Sequence, residues 1–153
     1  MPLPESVCSS EPFASMSEQA RSDFAGAVAL QRHEAGATIY DADQESAGMY
    51  VLVSGTVQLD DPQMTTIGGD RPQSFSTPGT LISKGSLLDP FRHRHRCSAE
   101  TDAEVMVLTR EAFGRLFEDK SPAAFALVDH LVREISGEVR ELNSAIHQLL
   151  SEH

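Results

Sequence analysis

The last thirty residues carry a heptad pattern that predicts a long helix with an apolar face. The pattern consists of Phe125, Val128, Val132, Ile135, Val139, Leu142, Ile146 and Leu149. These residues follow one another at alternating spacings of three and four, the repeat that places side chains on one seam of a coiled coil. Since a helix rises ~1.5 Å per residue, the later positions extend beyond what a small domain can cover.

The residue types on the seam favour pairing with a second helix. Val132, Val139 and Ile146 are β-branched, whereas the alternate positions include Leu142 and Leu149. That combination is typical of a parallel two-stranded coil. We therefore expect a homodimer, with an interface formed by Val132, Ile135, Val139, Leu142, Ile146 and Leu149. The alternative is a single helix that packs its stripe on its own domain, and we expect Phe125 and Val128 to do so.

Composition places the chain among globular proteins. It has 153 residues, 40% of them apolar, which suits one domain with a core. No apolar run approaches the ~18–20 residues that a transmembrane helix needs. Met1 to Phe13 lacks a basic segment followed by an apolar one, so we expect no signal peptide, a cytoplasmic protein and no membrane association. We expect reduced thiols at Cys8 and Cys97, which lie far apart.

Short β-type runs fill the middle of the chain. They lie at residues 38–40, 49–53, 56–59, 74–75 and 103–108, with turn residues between them. Before them, helical spacing from Phe13 to about Leu30 predicts a helix or helix pair capped by Ser15 or Ser17. This order predicts a mainly β fold with flanking helices, a β-roll or jelly-roll barrel followed by the long helix.

These patterns divide the chain into three parts. We expect a loose polar tail at residues 1–12, a β-roll with its N-terminal helix at 13–120, and the dimerisation helix at 121–153. We also expect a long hairpin loop between residues 60 and 73, which is polar and contains two glycines and two prolines.

A basic segment stands out in a chain with a net charge of −11. It runs from residue 83 to residue 96, is called the cassette below, and holds four of the twelve Lys and Arg residues. A local positive patch on an acidic body suits a small anionic ligand or an acidic partner better than DNA. For Arg92, Arg94 and Arg96 the alternative is a solvated edge strand, which charges protect from aggregation. The candidate pocket residues are Ser83, Lys84, Gly85, Ser86, Leu87, Leu88, Arg92, His93, Arg94 and His95.

Four motifs together resemble the cyclic nucleotide-binding domain family, which includes the sensor domains of catabolite-activator-type transcription factors. Residues 33–40 are similar to the family's first strand, and 49–57 (MYVLVSGTV) to its Tyr-x-x-x-x-Gly-x-Val hairpin. Residues 78–80 are similar to its turn before the phosphate-binding segment, and 103–113 to its last strand and following helix. The resemblance spans roughly Phe13 to Leu149 and implies the β-roll fold, with a cyclic nucleotide or cyclic dinucleotide as a possible ligand.

The cassette departs from the family's pattern, F-G-E-x-A-L-L followed by P-R-x-A. Lys84 stands where the family has the Glu that accepts the ribose hydroxyl, and a Lys cannot accept a hydrogen bond. His93 stands where the family has the Arg that pairs with the cyclic phosphate, and a shift of one residue would place Arg92 or Arg94 there. The departures point away from the family's usual cAMP binding.

His93, His95 and Cys97 alternate along the chain, so a strand would place them on one face. Imidazole and thiolate are ligands of Zn²⁺ and Cu. His93 and His95 followed by Glu100 are similar to the first metal motif of cupins, although no second His motif follows. The alternative is that Cys97 is a core residue and the histidines line a pocket, and we expect no native metal.

No nucleophile elbow, P-loop or paired-carboxylate arrangement appears, so we expect no enzyme. The sequence ends at His153, where the family's transcription factors continue into a helix-turn-helix, so we expect no direct DNA binding. The favoured hypothesis is a dimeric sensor or adaptor domain that binds an anionic ligand or a partner protein and signals through its last helix. The alternatives are a ligand-free dimerisation module and a cupin-like metal protein.

Overall fold

The computed structural model describes residues 2–60, 72–88 and 91–151. The helices are α1 Glu5–Cys8, α2 Glu18–Ala27, α3 Arg110–Glu118 and α4 Pro122–Ser151, with 3₁₀ turns at Phe13–Ser15 and Lys84–Leu87. The strands are β1 Ala29–His33, β2 Thr38–Tyr40, β3 Gly48–Ser54, β4 Val57–Asp60, β5 Gln73–Phe75, β6 Leu81–Ile82, β7 Arg96–Ala99 and β8 Ala103–Thr109. No helix within these ranges is long and apolar enough to cross a membrane.

The strands form two antiparallel four-stranded sheets. One sheet has the order β1-β8-β3-β6 and the other has the order β2-β7-β4-β5. Together with the long α4, this confirms the predicted β-roll with flanking helices. Strand β4 ends at Asp60, strand β5 begins at Gln73, and the two strands pair with each other. Most of the hairpin loop predicted between them lies outside the described residues. The boundaries of the three parts stay predictions.

The central strands β3 and β8 are buried on both faces, which explains their nearly continuous apolar sequence. Tyr50 and Leu52 point into an inner core between the two sheets. Met49 and Val51 point to an outer core that the helices cover. Alternate side chains of a strand lie on opposite faces, so a strand between two cores has no polar face.

The sequence predicts a helix or helix pair between Phe13 and Leu30. The structure has a 3₁₀ turn, helix α2 and the start of strand β1 in this segment. Ser17 caps α2, its hydroxyl accepting a hydrogen bond from the Ala20 N–H at 3.1 Å, as the sequence predicts. The helix ends at Ala27, however, and Leu30 lies in β1 opposite Met106. The helical spacing is wrong beyond Ala27 because pairing with the edge of β8 outweighs the local preference.

The N-terminal segment is folded, which differs from the loose tail predicted for residues 1–12. Val7 in α1 is fully buried in the outer core, where it joins Phe13 and Phe24. The Ser10 hydroxyl donates to the Pro78 carbonyl at 2.8 Å. Gly79 has a φ of +91°, and a Cβ there would lie 2.5 Å from that of Ser10. The segment is therefore fastened to the turn that precedes the cassette, and only glycine permits this approach.

Helix α4 leaves the body of the domain after its third turn. Ser121 begins it, accepting from the Ala123 N–H at 3.1 Å and donating to Asp23 at 2.6 Å. Its first turns are buried through Ala123, Ala124, Leu127 and Leu131. Val128 packs against the outer core as predicted, but Phe125 is 54% exposed. Phe125 contacts Phe117 of α3, with ring centroids 5.8 Å apart, but Phe117 is itself 48% exposed, so the predicted packing on the domain leaves about half of Phe125 uncovered.

Candidate functional site

The cassette begins with a strained turn at the end of β6. Ser83 has a φ of 59°, a left-handed conformation that glycine adopts readily, and it stands where the resembled family has glycine. Its hydroxyl lies 2.6 Å from that of Ser86, which is fully buried. Arg110 donates from Nη1 to the Ser86 carbonyl and to the Ser46 hydroxyl, both at 3.2 Å. These contacts hold the 3₁₀ turn of the cassette against the start of α3.

Lys84 joins the cassette to α4. Its Nζ donates to Oε2 of Glu134 at 2.6 Å and to Oε1 of Glu138 at 3.2 Å. We call these three residues the clasp. On the other side, Glu134 Oε1 lies 2.9 Å from Nε2 of His130. The clasp connects residues fifty positions apart in the sequence at the point where α4 leaves the body.

The pKa values within the clasp favour the charged pair. Burial by itself lowers the pKa of Lys84, but the hydrogen bonds that Lys84 donates to Glu134 and Glu138 outweigh it, so the pKa of Lys84 is raised. Burial by itself raises the pKa of Glu134. The hydrogen bond and the charge of Lys84, and after them the interaction with His130, have the larger effect, so the pKa of Glu134 is lowered. Both groups are therefore ionised at neutral pH.

His93 lies inside the domain instead of presenting a cation. It is 5% exposed and stacks on Tyr40, with ring centroids 3.7 Å apart and planes 18° apart. Phe91 meets the imidazole edge-on at 5.8 Å, and the Ser83 hydroxyl lies 3.4 Å from Nδ1. Burial lowers the pKa of His93, so the ring is neutral at pH 7. The residue aligned with the family's phosphate-binding Arg therefore supplies no charge.

Residues 91–93 are fastened by their backbone to residues 43–46. The Asp43 N–H donates to the His93 carbonyl at 2.6 Å, and the His93 N–H donates to the Gln44 carbonyl at 2.9 Å. The Ser46 N–H donates to the Phe91 carbonyl at 2.8 Å. We call residues 91–93 the strap. Arg92, the middle residue of the strap, uses Nη1 to bond the Asp43 carbonyl at 2.7 Å.

The predicted common face of His93, His95 and Cys97 is wrong. Strand β7 begins only at Arg96, and a bend at residues 94–95 interrupts the alternation. His93 and Cys97 are buried whereas His95 is exposed. Burial raises the pKa of Cys97 to about 12, so its thiol is protonated. The described ranges contain no group of three His, Cys, Asp or Glu side chains arranged to hold a metal ion.

The last cassette residue, Arg96, and Glu100 just beyond the cassette contact the body through polar groups. Arg96 donates from Nε to Asp41 Oδ1 at 2.8 Å, and this bond lowers the pKa of Asp41. Glu100, the third residue of the cupin-like motif, accepts a hydrogen bond from the Ser74 hydroxyl. In the first part of the cassette, Leu87 is buried and Leu88 is 49% exposed. The cassette is thus packed partly into the domain and partly against its surface.

A cavity of about 330 Å³ lies beside the clasp, outside the roll. It is lined by Ser10, Glu11, Thr77, Gly79, Thr80, Leu81, Lys84 and Glu134. Two carboxylates and one ammonium group line this cavity, and that ammonium group already has two acidic partners. An anion would therefore gain little in this cavity, because Glu11 and Glu134 would repel it.

The predicted dimer seam is exposed along α4. The exposed fractions are 53% for Val132, 38% for Ile135, 50% for Val139, 61% for Leu142, 46% for Ile146 and 62% for Leu149. In a parallel coil, Glu138 of one helix would lie beside Asn143 of the other. The positions that flank the seam therefore bring no two like charges together. Such a regular apolar stripe on one helix is the geometry of an interaction surface.

The roll of two four-stranded sheets, the cassette within it and the long C-terminal helix together define the class of fold. The family model described as "Cyclic nucleotide-binding domain" matches residues 30–120, more than half of the sequence. The chain therefore belongs to the cyclic nucleotide-binding domain family. A comparison with curated protein sequences found no match.

Solved structures share the fold at low sequence identity. The N-terminal domain of a transcriptional regulator from Streptomyces coelicolor A3(2) aligns with a TM-score of 0.71 and 20% identity, over 92% of this chain and 94% of that one. A putative cyclic nucleotide-binding protein from Geobacter metallireducens GS-15 aligns with a TM-score of 0.68 and 17% identity, over 91% and 99%. The Thermus thermophilus catabolite activator protein aligns with a TM-score of 0.67 and 23% identity, over 86% and 61%.

Several residues of the site could not be identified in the sequence. Tyr40 and Arg110 come from β2 and α3, and no motif marks them as neighbours of the cassette. Glu134 and Glu138 are four residues apart on α4, which places them on one helix face beside the apolar seam. That spacing was the one available signal, and it does not say that their partner is Lys84.

Proposed function

We propose that the chain is a dimeric regulatory module in which the cassette controls the position of α4 and α4 carries the output to a partner protein. The observation that carries this proposal is the clasp. Lys84 stands in the family's ligand-contacting segment, yet its ammonium group is committed to Glu134 and Glu138 on the helix. If α4 has two positions and the equilibrium between them depends on the clasp contacts, the cassette and the helix are coupled.

The occupant of the α4 seam is, in this proposal, a second copy of the chain. The support is the a/d heptad spacing, the β-branched and Leu residues at those positions, and the absence of like-charge pairs in the flanking sequence positions. The apolar residues on the seam are between 38% and 62% exposed in the single chain. Dimer formation would remove this surface from water.

The partner-protein form of the hypothesis is favoured over an anionic ligand in the cassette. Lys84 is neutralised by two carboxylates, Arg92 binds a backbone carbonyl and Arg96 pairs with Asp41. His93 is buried and neutral. A cyclic phosphate placed there would have to break contacts that already exist. A nucleotide-type ligand remains the second candidate because the chain belongs to the cyclic nucleotide-binding domain family. We propose a non-catalytic, cytoplasmic role in either case.

Sedimentation equilibrium tests the dimer. Wild-type protein should have twice the mass of one chain, and Leu142→Asp should have the mass of one chain because a buried carboxylate at the seam is costly. Ser144→Asp places the same charge on α4 outside the seam and should stay dimeric. An unchanged mass for Leu142→Asp would overturn the coiled-coil dimer.

A thermal-shift panel separates the two candidate functions. A regulatory module that needs no small ligand should show no stabilisation with cAMP, cGMP or cyclic dinucleotides. A ligand present at 100 times its Kd would add ~2.7 kcal/mol to stability, a shift of several degrees for a domain of this size. A shift with one nucleotide that is lost in the Lys84→Met, His93→Ala double variant would establish the nucleotide sensor instead.

A further inference from the structure

The Tyr40–His93 contact has the geometry of a bound ring on an aromatic platform. The two rings are nearly parallel, 3.7 Å apart between centroids and 18° apart between planes. The aromatic pairs formed by Phe13–Phe24, Tyr40–Tyr50, Phe113–Phe117 and Phe117–Phe125 are tilted and 4.9–6.1 Å apart. Among the ring pairs of the described residues, close parallel stacking therefore occurs at Tyr40 and His93 alone and differs from the tilted or edge-on packing of the other pairs.

Part of the wall around the imidazole comes from elements other than the strap that carries it, while Phe91 of the strap meets the edge of the ring at 5.8 Å. Tyr40 belongs to β2 and forms one face, while Ser83 places its hydroxyl 3.4 Å from Nδ1. That hydroxyl also lies 2.6 Å from the Ser86 hydroxyl. The ring therefore occupies a space with an aromatic floor and one polar corner. A planar ring with a nitrogen atom suits both features.

His93 reaches this space from the strap, outside both four-stranded sheets. The His93 N–H and carbonyl bond to Gln44 and Asp43, and the Phe91 carbonyl bonds to Ser46. All of these bonds are made by the main chain of the strap. Removing the imidazole leaves each of them in place. The cavity that results would keep its walls, since interiors relax only partially when a side chain is truncated.

We infer that His93 is a tethered occupant of a ring-binding site inside the roll, and that the vacated site binds a free planar heteroaromatic ring of imidazole size. The domain in this form is closed by its own side chain. An external ring reaches Tyr40 only when the imidazole withdraws. This inference uses the contacts of the strap and of β2 and does not depend on the dimer or on the clasp.

Chemical rescue with free imidazole tests the inference. His93→Gly should lower the Tm of the full chain by several degrees, and imidazole at about pH 8, where it is neutral, should restore part of the loss. At a tenfold excess over its Kd the gain should be about 3–6 °C. Cyclopentanol, of similar size but not planar, should restore less. Wild-type protein should gain nothing, because its site is occupied.

His95→Gly is the matched control, because it removes an exposed imidazole two residues away and leaves no cavity. It should show neither the large loss nor the rescue. His93→Ala serves as the second variant should His93→Gly fail to fold. Absence of imidazole rescue in the folded variant, or equal gains in wild type and variant, would overturn the tethered-occupant inference. Equal rescue by cyclopentanol would overturn the requirement for a planar ring. None of these outcomes depends on whether the chain dimerises.

Discussion

Individual cassette residues have exchanged the chemistry that the family pattern implies for contacts within the domain. Lys84 replaces a hydrogen-bond acceptor with a donor, and it donates to α4. His93 replaces a permanent cation with a ring that burial keeps neutral. Ser83 keeps the left-handed backbone that favours glycine and adds a hydroxyl to the interior. The cassette thus packs inside the domain through His93 and Ser83 and binds helix α4 through Lys84.

The first prediction concerns the pH dependence of the clasp. Lys84→Met should lower the free energy of unfolding by roughly 1 kcal/mol at pH 7, as expected for a partly exposed ion pair. The pKa of Glu134 is lowered in the folded state, so this contribution is present above the ordinary pKa of a Glu and is lost as pH falls through the lowered value. The pKa of Lys84 is raised, so the contribution persists until pH rises through that value.

Urea unfolding of wild type and Lys84→Met at one protein concentration measures this difference. It should stay constant between about pH 6 and pH 9 and shrink as pH falls below about 4.3, the ordinary pKa of a Glu. Arg133→Met is the control, because Arg133 pairs with Asp129 on the same helix and is 79% exposed. Its effect should stay within about 0.5 kcal/mol. A difference between wild type and Lys84→Met that does not change with pH would contradict the charge pair.

The second prediction concerns the two thiols. Cys97 is 1% exposed and its pKa is raised to about 12, so the native protein should protect it from a thiol reagent such as 5,5′-dithiobis(2-nitrobenzoic acid). Cys8 is partly exposed and should react. One thiol per chain should be counted in native protein and two in denaturant. Cys8→Ser should abolish the native signal, and two reactive thiols in native wild type would contradict this burial of Cys97.

At the scale of elements, the first part of α4 packs on the domain and the second part is exposed. Up to Leu131 it completes the outer core, and beyond that residue its apolar side chains are exposed. The clasp grips it at Glu134 and Glu138, just past this boundary. Gly137 lies between these two residues, at a point where glycine weakens a helix. The joint between the body and the exposed half therefore combines a polar tether with reduced helix propensity.

The third prediction follows from the position of Gly137. A Cβ at this residue would meet nothing within 4 Å, so Gly137→Ala should raise the free energy of unfolding by about 0.5–1 kcal/mol through helix propensity. Gly36→Ala is the contrasting variant, since Gly36 has a φ of +88° that alanine disfavours, and it should destabilise the domain. Thermal unfolding at a fixed concentration measures both. A loss of stability in Gly137→Ala would mean that this part of α4 is not a regular helix in solution.

At the scale of the whole molecule, the roll and the helix are joined by contacts remote in sequence. Val7 of the N-terminal segment reaches the outer core, and Ser10 fastens the turn before the cassette. The cassette in turn holds α4 through the clasp. The proposed regulatory function requires that a change in the cassette reach the exposed half of α4, and this chain of contacts is the route that we propose for it.

The fourth prediction tests that coupling. Lys84→Met should weaken the proposed dimer roughly fivefold, which corresponds to about 1 kcal/mol, because the exposed half of α4 loses its tether and must be ordered when the chains associate. Analytical ultracentrifugation over a range of concentrations measures the dissociation constant. Arg133→Met again provides the comparison and should leave that constant unchanged. A Lys84→Met dimer as strong as wild type would separate the clasp from dimerisation.

Local patterns in the sequence predict most of the architecture. The strand runs 49–53 and 103–108, the cap at Ser17 and the start of α4 were all legible because each depends on residues a few positions apart. The predictions were wrong where a partner remote in sequence outweighs the local preference. Leu30 joins a strand because β8 offers it an edge, and Phe125 stays 54% exposed because its ring partner, Phe117 of α3, itself lies at the surface.

The candidate site depended far more on the three-dimensional arrangement. A single sequence placed Lys84 and His93 in the cassette but could not pair them with Glu134 and Tyr40, which lie 50 and 53 residues away in the chain. The spacing of apolar residues predicts whether a segment is a helix or a strand, because the hydrogen bonds of a helix are local and those of a strand are regular. A side-chain contact between remote elements depends on how those elements pack, and packing is settled by the free energy of the whole domain.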